Sequence, residues 1–206
     1  QSELSAAQFT RRKLRDMPGK KDNFLNRFLL RPLVKRSLPM LWTKESASQY
    51  LGIFILLAGL AGIGTAVFGY SVAALGLLLL GSIAQFTRAS MAQFAHAAAG
   101  RDWTGLALDI FAGTAVAILL VKTSSTMTFV PNLVIFLVLL AHLLLLRSGA
   151  GEPRLALIRP DSRLILLIML LATMFGPISY GIFAALLYSG LTLVLDRYFA
   201  QNAPKS

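Results

Sequence analysis

From residue 50 onward the chain is a succession of six apolar segments, near Tyr50–Phe68, Ser71–Ala98, Thr104–Val121, Val130–Leu146, Arg163–Phe175 and Ile178–Ala200. A helix needs about 20 residues to cross the hydrocarbon of a bilayer, and backbone polar groups in lipid must be satisfied within the segment itself. The pattern therefore predicts an all-α polytopic membrane protein with six transmembrane helices. The fifth segment is short and ends in Gly176-Pro177. The second is long, and its last three turns carry Gln85, Arg88, Gln93 and His96, which predicts that they project beyond the hydrocarbon on one side. Composition agrees. The 206 residues are 56% hydrophobic and 14% charged, too apolar for an ordinary soluble domain.

Charge sets the expected orientation. The formal net charge of +11 comes from 20 Lys and Arg against 9 Asp and Glu, and on a membrane protein such an excess speaks first of topology and anionic lipid. Eleven Lys and Arg precede the first apolar segment. Arg101, then Arg147, Arg154, Arg159 and Arg163, then Arg197 and Lys205 fall on the same side, and the other side has only Lys122. The positive-inside rule then puts both termini in the cytoplasm. Residues 1–21 are expected to form a basic, flexible cytoplasmic segment; Arg11, Arg12, Lys13, Arg15 and Lys20 interrupt it without an apolar core, so no cleavable signal peptide is expected there. The absence of Cys rules out a disulfide framework and a thiolate metal site.

The region 22–48 reads as a juxtamembrane amphipathic helix, 49–200 as the six-helix transmembrane domain and 201–206 as a cytoplasmic tail. Within Asp22–Trp42, Phe24, Phe28, Leu29 and Leu33 recur at helical spacing against Arg27, Arg31, Lys35 and Arg36. Such a basic amphipathic stretch suits a helix lying in the membrane interface, kinked or broken at Pro32, with Trp42 at headgroup level. Gly52, Gly59, Gly62 and Gly64, then Ala112, Gly113 and Ala117, let helices approach closely, either within the bundle or at a dimer face. No P-loop, zinc spacing or Ser-His-Asp set is present. The expected partners are membrane lipids, anionic ones above all, with a homodimer or another membrane-protein subunit possible, and not nucleic acid.

One stretch has an unusual spacing: Arg88-Ala-Ser-Met91-Ala92-Gln-Phe-Ala95-His96, eight residues, then Gly105-Leu-Ala-Leu-Asp109-Ile-Phe-Ala-Gly113. It resembles the motif of the CDP-alcohol phosphotransferase family, D-x2-D-G-x2-A-R-x8-G-x3-D-x3-D. Laid over this chain without a gap, the four motif Asp positions fall on Arg88, Met91, Asp109 and Gly113. The motif Gly falls on Ala92, the Ala is kept as Ala95, the Arg becomes His96, and the second Gly is kept as Gly105. The frame begins at the end of the second apolar segment and closes in the third, as in the family, and a basic juxtamembrane helix precedes it. The resemblance covers about residues 22–200.

The resemblance implies a fold whose relatives hold divalent metal between two helices, on the pyrophosphate of a CDP-linked substrate. Mg2+ needs several oxygen ligands. Here Asp109 is the one motif carboxylate kept, so the Mg2+ or Mn2+ site of the family is expected to be lost, with no cofactor and no catalytic residue in the frame. The expectation is a degenerate, catalytically inactive member. It would bind lipid or an anionic ligand, or serve as a partner subunit, in a bacterial inner membrane. The alternative is an active phosphatidyltransferase with a divergent site, drawing carboxylates from Asp102 or Asp161. Candidate anion or lipid contacts are Arg27, Arg31, Arg88, His96, Arg154, Arg159 and Arg163; the last three also read as ordinary positive-inside charges. Asp109, costly to bury charged, is expected to pair with Arg88 across the second and third helices.

Overall fold

The computed structural model describes residues 23–42, 46–95, 103–148, 158 and 160–201, and its elements are all helical. Helix α1 opens as a π-helix over Leu25–Leu30 and continues as an α-helix over Arg31–Trp42. Six helices follow: α2 (Ala47–Val67), α3 (Ser71–Ala95), α4 (Trp103–Thr123), α5 (Thr126–Ser148), α6 (Ser162–Thr173) and α7 (Ile178–Gln201). Each coincides with one apolar segment of the sequence. Four of them, α2, α3, α4 and α7, are long and apolar enough to cross a membrane. In α5 the described apolar stretch is Val130–Leu140, and α6 is confined to twelve residues. At 1.5 Å per residue α6 rises only about 18 Å, well short of a hydrocarbon layer of roughly 30 Å.

The helix does not break at Pro32. A proline has no N–H to donate, and its ring crowds the carbonyl four residues earlier, here that of Phe28. The turn ahead of Pro32 is widened instead: the Arg31 N–H donates to the Asn26 carbonyl, five residues back. Such π-turns are how a helix absorbs an obstruction without stopping. The turn between α2 and α3 follows an equally local rule. Gly69 has φ +82°, a conformation that costs glycine little. The Gly69 N–H donates to the Ala66 carbonyl at 2.9 Å and the Tyr70 N–H to that of Thr65 at 3.0 Å. This is the Schellman closure of a helix C-terminus.

The six helices close into a ring in the order α2, α3, α6, α7, α5, α4, with α3 and α7 also touching α4 across it. One core runs through all six, from Ile55 in α2 and Leu75 and Leu78 in α3 to Leu119, Leu139, Leu166 and Ile182 in α4 to α7. Outside, α7 presents Tyr180, Phe183, Leu187, Leu191, Val194 and Tyr198, all exposed and spaced three or four residues apart. The two tyrosines of this stripe are separated by about 27 Å along the axis. An apolar stripe of that length bounded by tyrosines is what a lipid-embedded helix shows, since tyrosine favours the two interfaces.

Close approach is built from small residues. The Phe111 ring lies on Gly59, Leu78 on Gly62, and Leu108 on Gly81, so α2, α3 and α4 lock together. Gly64 and Gly113 face open space, so the glycine-rich face of α2 is only partly used for packing inside the bundle. At Gly181 a Cβ would stand 2.7 Å from the Thr173 hydroxyl oxygen and 2.8 Å from the Met169 carbonyl oxygen of α6, backbone that cannot give way cheaply. Gly181→Ala is expected to destabilise the bundle by about 1–3 kcal/mol, the range of overpacked cores. Gly190→Ala, where a Cβ meets nothing within 4 Å, is the matched control and should be neutral or mildly stabilising. Thermal unfolding in detergent checks both.

Candidate functional site

Pro160 and the N-cap Asp161 lead into the short α6, whose first residues are Ser162 and Arg163, and this N-terminus is the centre of the polar chemistry in the described residues. Asp161 is an N-cap in form as well as in sequence. Its backbone is extended (φ −124°, ψ 171°), and its Oδ1 accepts from the Leu164 N–H at 2.9 Å. A side-chain acceptor there satisfies one of the free amides that open any helix, and a negative charge complements the helix dipole. The other carboxylate oxygen, Oδ2, accepts from Arg163 Nη1 at 2.9 Å and from Asn26 Nδ2 at 2.8 Å.

Arg163 ties three helices together. Its Nε donates to the Ser82 carbonyl at 3.1 Å and its Nη2 to Gln85 Oε1 at 3.1 Å, both on α3. Nη1 also donates to Asn26 Oδ1 on α1 at 3.3 Å, and the guanidinium carbon lies 4.8 Å above the Phe86 ring. A guanidinium has its donors in a fixed fork, so one residue meets several acceptors at once. The side chains of Arg163 and Asp161 are 16% and 29% exposed, which makes this a partly buried pair with most of its bonding capacity met by neighbouring groups. Asn26 is itself buried, and its backbone N–H is met by Asn23 Oδ1 at 2.9 Å. Beside this group, Ser162 donates from Oγ to Asp109 Oδ1 at 2.9 Å, and the Tyr188 hydroxyl donates to the Ile158 carbonyl at 2.7 Å.

The motif frame is spread over several contacts. Arg88 donates from Nη1 to Thr104 Oγ1 at 2.7 Å and from Nε toward Ser48 Oγ at 3.4 Å, with its guanidinium beside Gly52. Met91 is buried against Val34 of α1 and Ala47 of α2. Ala92 is half-buried, Gly105 half-buried in the first turn of α4, and Gly113 open to a Cβ. Ala95 ends α3; His96, Asp102, Arg154 and Arg159 lie outside the described residues. Arg27 is exposed with its guanidinium 5.7 Å from the Phe28 ring centre, and Arg31 is half-buried.

The expected Arg88–Asp109 ion pair is corrected by this geometry. Among the described residues the ion pair is Arg163–Asp161, while Asp109 meets Ser162 and Arg88 meets Thr104 and Ser48. The reason lies in the packing. The Arg88 turn of α3 faces the start of α2 and the first turn of α4, whereas Asp109 lies further along α4, where α6 begins. Asn23, Asn26 and Ser162 carried no role in the sequence reading, and Asp161 entered it only as a possible carboxylate. The Pro-Asp-Ser start before an apolar run was the available signal for a capped helix, and amides in a stretch otherwise apolar or basic were the signal for a polar seat.

Among the described residues no three His, Cys, Asp or Glu side chains gather as a group that could hold a metal ion. Chemically, the arrangement is a charge-neutral hydrogen-bond junction of α1, α3 and α6. Comparison with protein-family models, with curated proteins and with solved structures gave no match.

Arg163→Met leaves Asp161 partly buried without its cation. Discounted for exposure, the loss is expected at roughly 2–4 kcal/mol, and adding Asp161→Asn to it should cost less than the sum of the two single changes. Thermal unfolding of the two single variants and the double variant in detergent reads the coupling; strict additivity would contradict it.

Proposed function

We propose that this chain is a catalytically inactive membrane protein of CDP-alcohol phosphotransferase-like design, which binds an anionic lipid or ligand or serves as a subunit of a membrane assembly. Under this reading α2 to α7 form the membrane domain and α1 is its juxtamembrane helix. Both termini are cytoplasmic, and the protein resides in a bacterial inner membrane. One observation carries the reading: at the inner end of the bundle a guanidinium neutralises the carboxylate, with Arg163 on Asp161 at 2.9 Å. Phosphoryl transfer on a CDP-linked substrate in this design asks for carboxylates that converge on divalent metal, with oxygens left to coordinate it. The Asp161 oxygens instead serve Arg163, Asn26 and the Leu164 amide, and Asp109 serves Ser162.

A second reading has its own observation. Ser162 joins Asp109 to the helix turn that bears Asp161, so two carboxylates stand at the same end of the bundle. An active enzyme with a divergent site would use that pair. CMP release from CDP-diacylglycerol, assayed on the purified protein with Mg2+ or Mn2+ and a range of acceptor alcohols, separates the two. The expected result is no release above that of the Asp109→Asn/Asp161→Asn double variant. Release that this variant abolishes would establish the enzyme reading instead.

A further inference from the structure

Helix α1 divides its surface into three edges. Leu25, Asn26, Leu30 and Val34 are buried on the bundle. Phe24, Phe28, Leu29 and Leu33 are each more than half exposed, and the two phenylalanine rings meet with centroids 5.1 Å apart and planes tilted by 41°. Arg27, Arg31 and Lys35 follow one another at every fourth residue, with Arg36 beside them, and no Asp or Glu occurs anywhere from Asn23 to Trp42. An exposed edge that sets large apolar groups beside the exposed cations Arg27 and Arg36 matches a leaflet whose headgroups carry phosphate charge and whose interior is hydrocarbon. A nucleic acid or an acidic protein would use the cations but leave the aliphatic and phenyl groups in water.

We propose that the outer edge of α1 is a docking surface for an anionic lipid leaflet. Lipid on this edge and Asn26 on the Asp161–Arg163 pair hold each other in place. The link is the polarity of the buried edge. Pressing Phe24, Phe28, Leu29 and Leu33 into lipid carries Asn23 and Asn26 toward apolar surroundings, where unpaired amides are costly. Seated on the bundle, the Asn26 amide donates to Asp161 and accepts from Arg163, and Asn23 caps the Asn26 N–H. The seated helix therefore favours insertion, and anionic headgroups on Arg27 and Arg36 favour the seated helix, as any ligand favours the state it binds better. This inference rests on the lipid-binding reading above and names its surface.

The chain has no cysteine, so an engineered pair reports without background. Val34 and Met91 belong to one buried cluster, and Val34→Cys with Met91→Cys measures the seating of α1 by disulfide formation under a mild oxidant. The protein is placed in nanodiscs of phosphatidylcholine alone or of phosphatidylcholine with phosphatidylglycerol. The crosslinking rate is expected to be up to roughly thirtyfold higher with phosphatidylglycerol, from the headgroup attraction of two cations. Adding Arg27→Gln and Arg36→Gln, both on exposed residues, should bring that rate down to the level in phosphatidylcholine. Adding Asn26→Leu should slow crosslinking in both lipids.

Equal rates in the two lipids would overturn the proposal, as would a phosphatidylglycerol response that survives loss of both arginines. So would acceleration by added RNA or an acidic protein in phosphatidylcholine discs that phosphatidylglycerol does not reproduce. CMP release measured on the same samples keeps the two readings apart. Release together with a normal lipid response would sink the inactive-protein reading and leave this surface standing. No release and no lipid response would sink the surface alone.

Discussion

Charge inside an apolar bundle has to be matched group for group, and Arg163 is where this protein meets that requirement. A guanidinium that is only 16% exposed has little water to fall back on. It is tolerated only if fixed acceptors surround it. The backbone carbonyl of Ser82, the amide oxygens of Gln85 and Asn26 and the carboxylate of Asp161 supply those acceptors, and the Phe86 ring supplies a face. The positions of α1, α3 and α6 relative to one another follow from those bonds, because each helix contributes an acceptor that the others cannot replace.

The shortness of α6 is what creates the space for this junction. Helix α6 spans twelve residues, and its capped N-terminus stands level with Gln85 of α3 and Asp109 of α4. Helix N-termini expose amides and a partial positive charge, and they draw carboxylates and hydroxyls toward them. Asp161 answers that demand within α6 by accepting from the Leu164 N–H, and Asn26 reaches in from α1. The π-turn of α1 belongs to the same arrangement: it takes the chain past Pro32 while Asn26 and Leu30 both stay on the buried edge.

At this junction one cation and one anion, Arg163 and Asp161, are spent on one another and on fixed neighbours. An arginine that bridges three helices positions them, and a carboxylate that caps a helix and binds an arginine and an amide is poorly placed to gather metal. The outward charges are different in kind. Arg27 and Arg36 sit on the exposed side of α1 among exposed aromatic and aliphatic groups, and they address whatever surrounds the bundle rather than its interior.

Hydropathy alone located all six helices of the bundle to within a few residues, because a long apolar segment has few other ways to satisfy its backbone. Period and charge alone outlined two faces of α1, the apolar one of Phe24, Phe28, Leu29 and Leu33 and the basic one, but not the edge of Leu25, Asn26, Leu30 and Val34 that the structure buries. The fate of Pro32 was not legible, since whether a proline breaks a helix or widens a turn depends on what holds the turn from outside. Nor was the partner of Asp109: spacing put Arg88 and Asp109 in one frame, but the ring order turned Asp109 toward Ser162 and gave the ion pair to Arg163 and Asp161. The amino-acid sequence by itself determined which segments are helices and which of their faces are apolar or basic, for these are properties of nearest neighbours along the chain. Only the tertiary structure decided which polar groups meet. A pairing between Asn26 and Asp161, 135 residues apart, depends on how helices pack, and no local pattern encodes that.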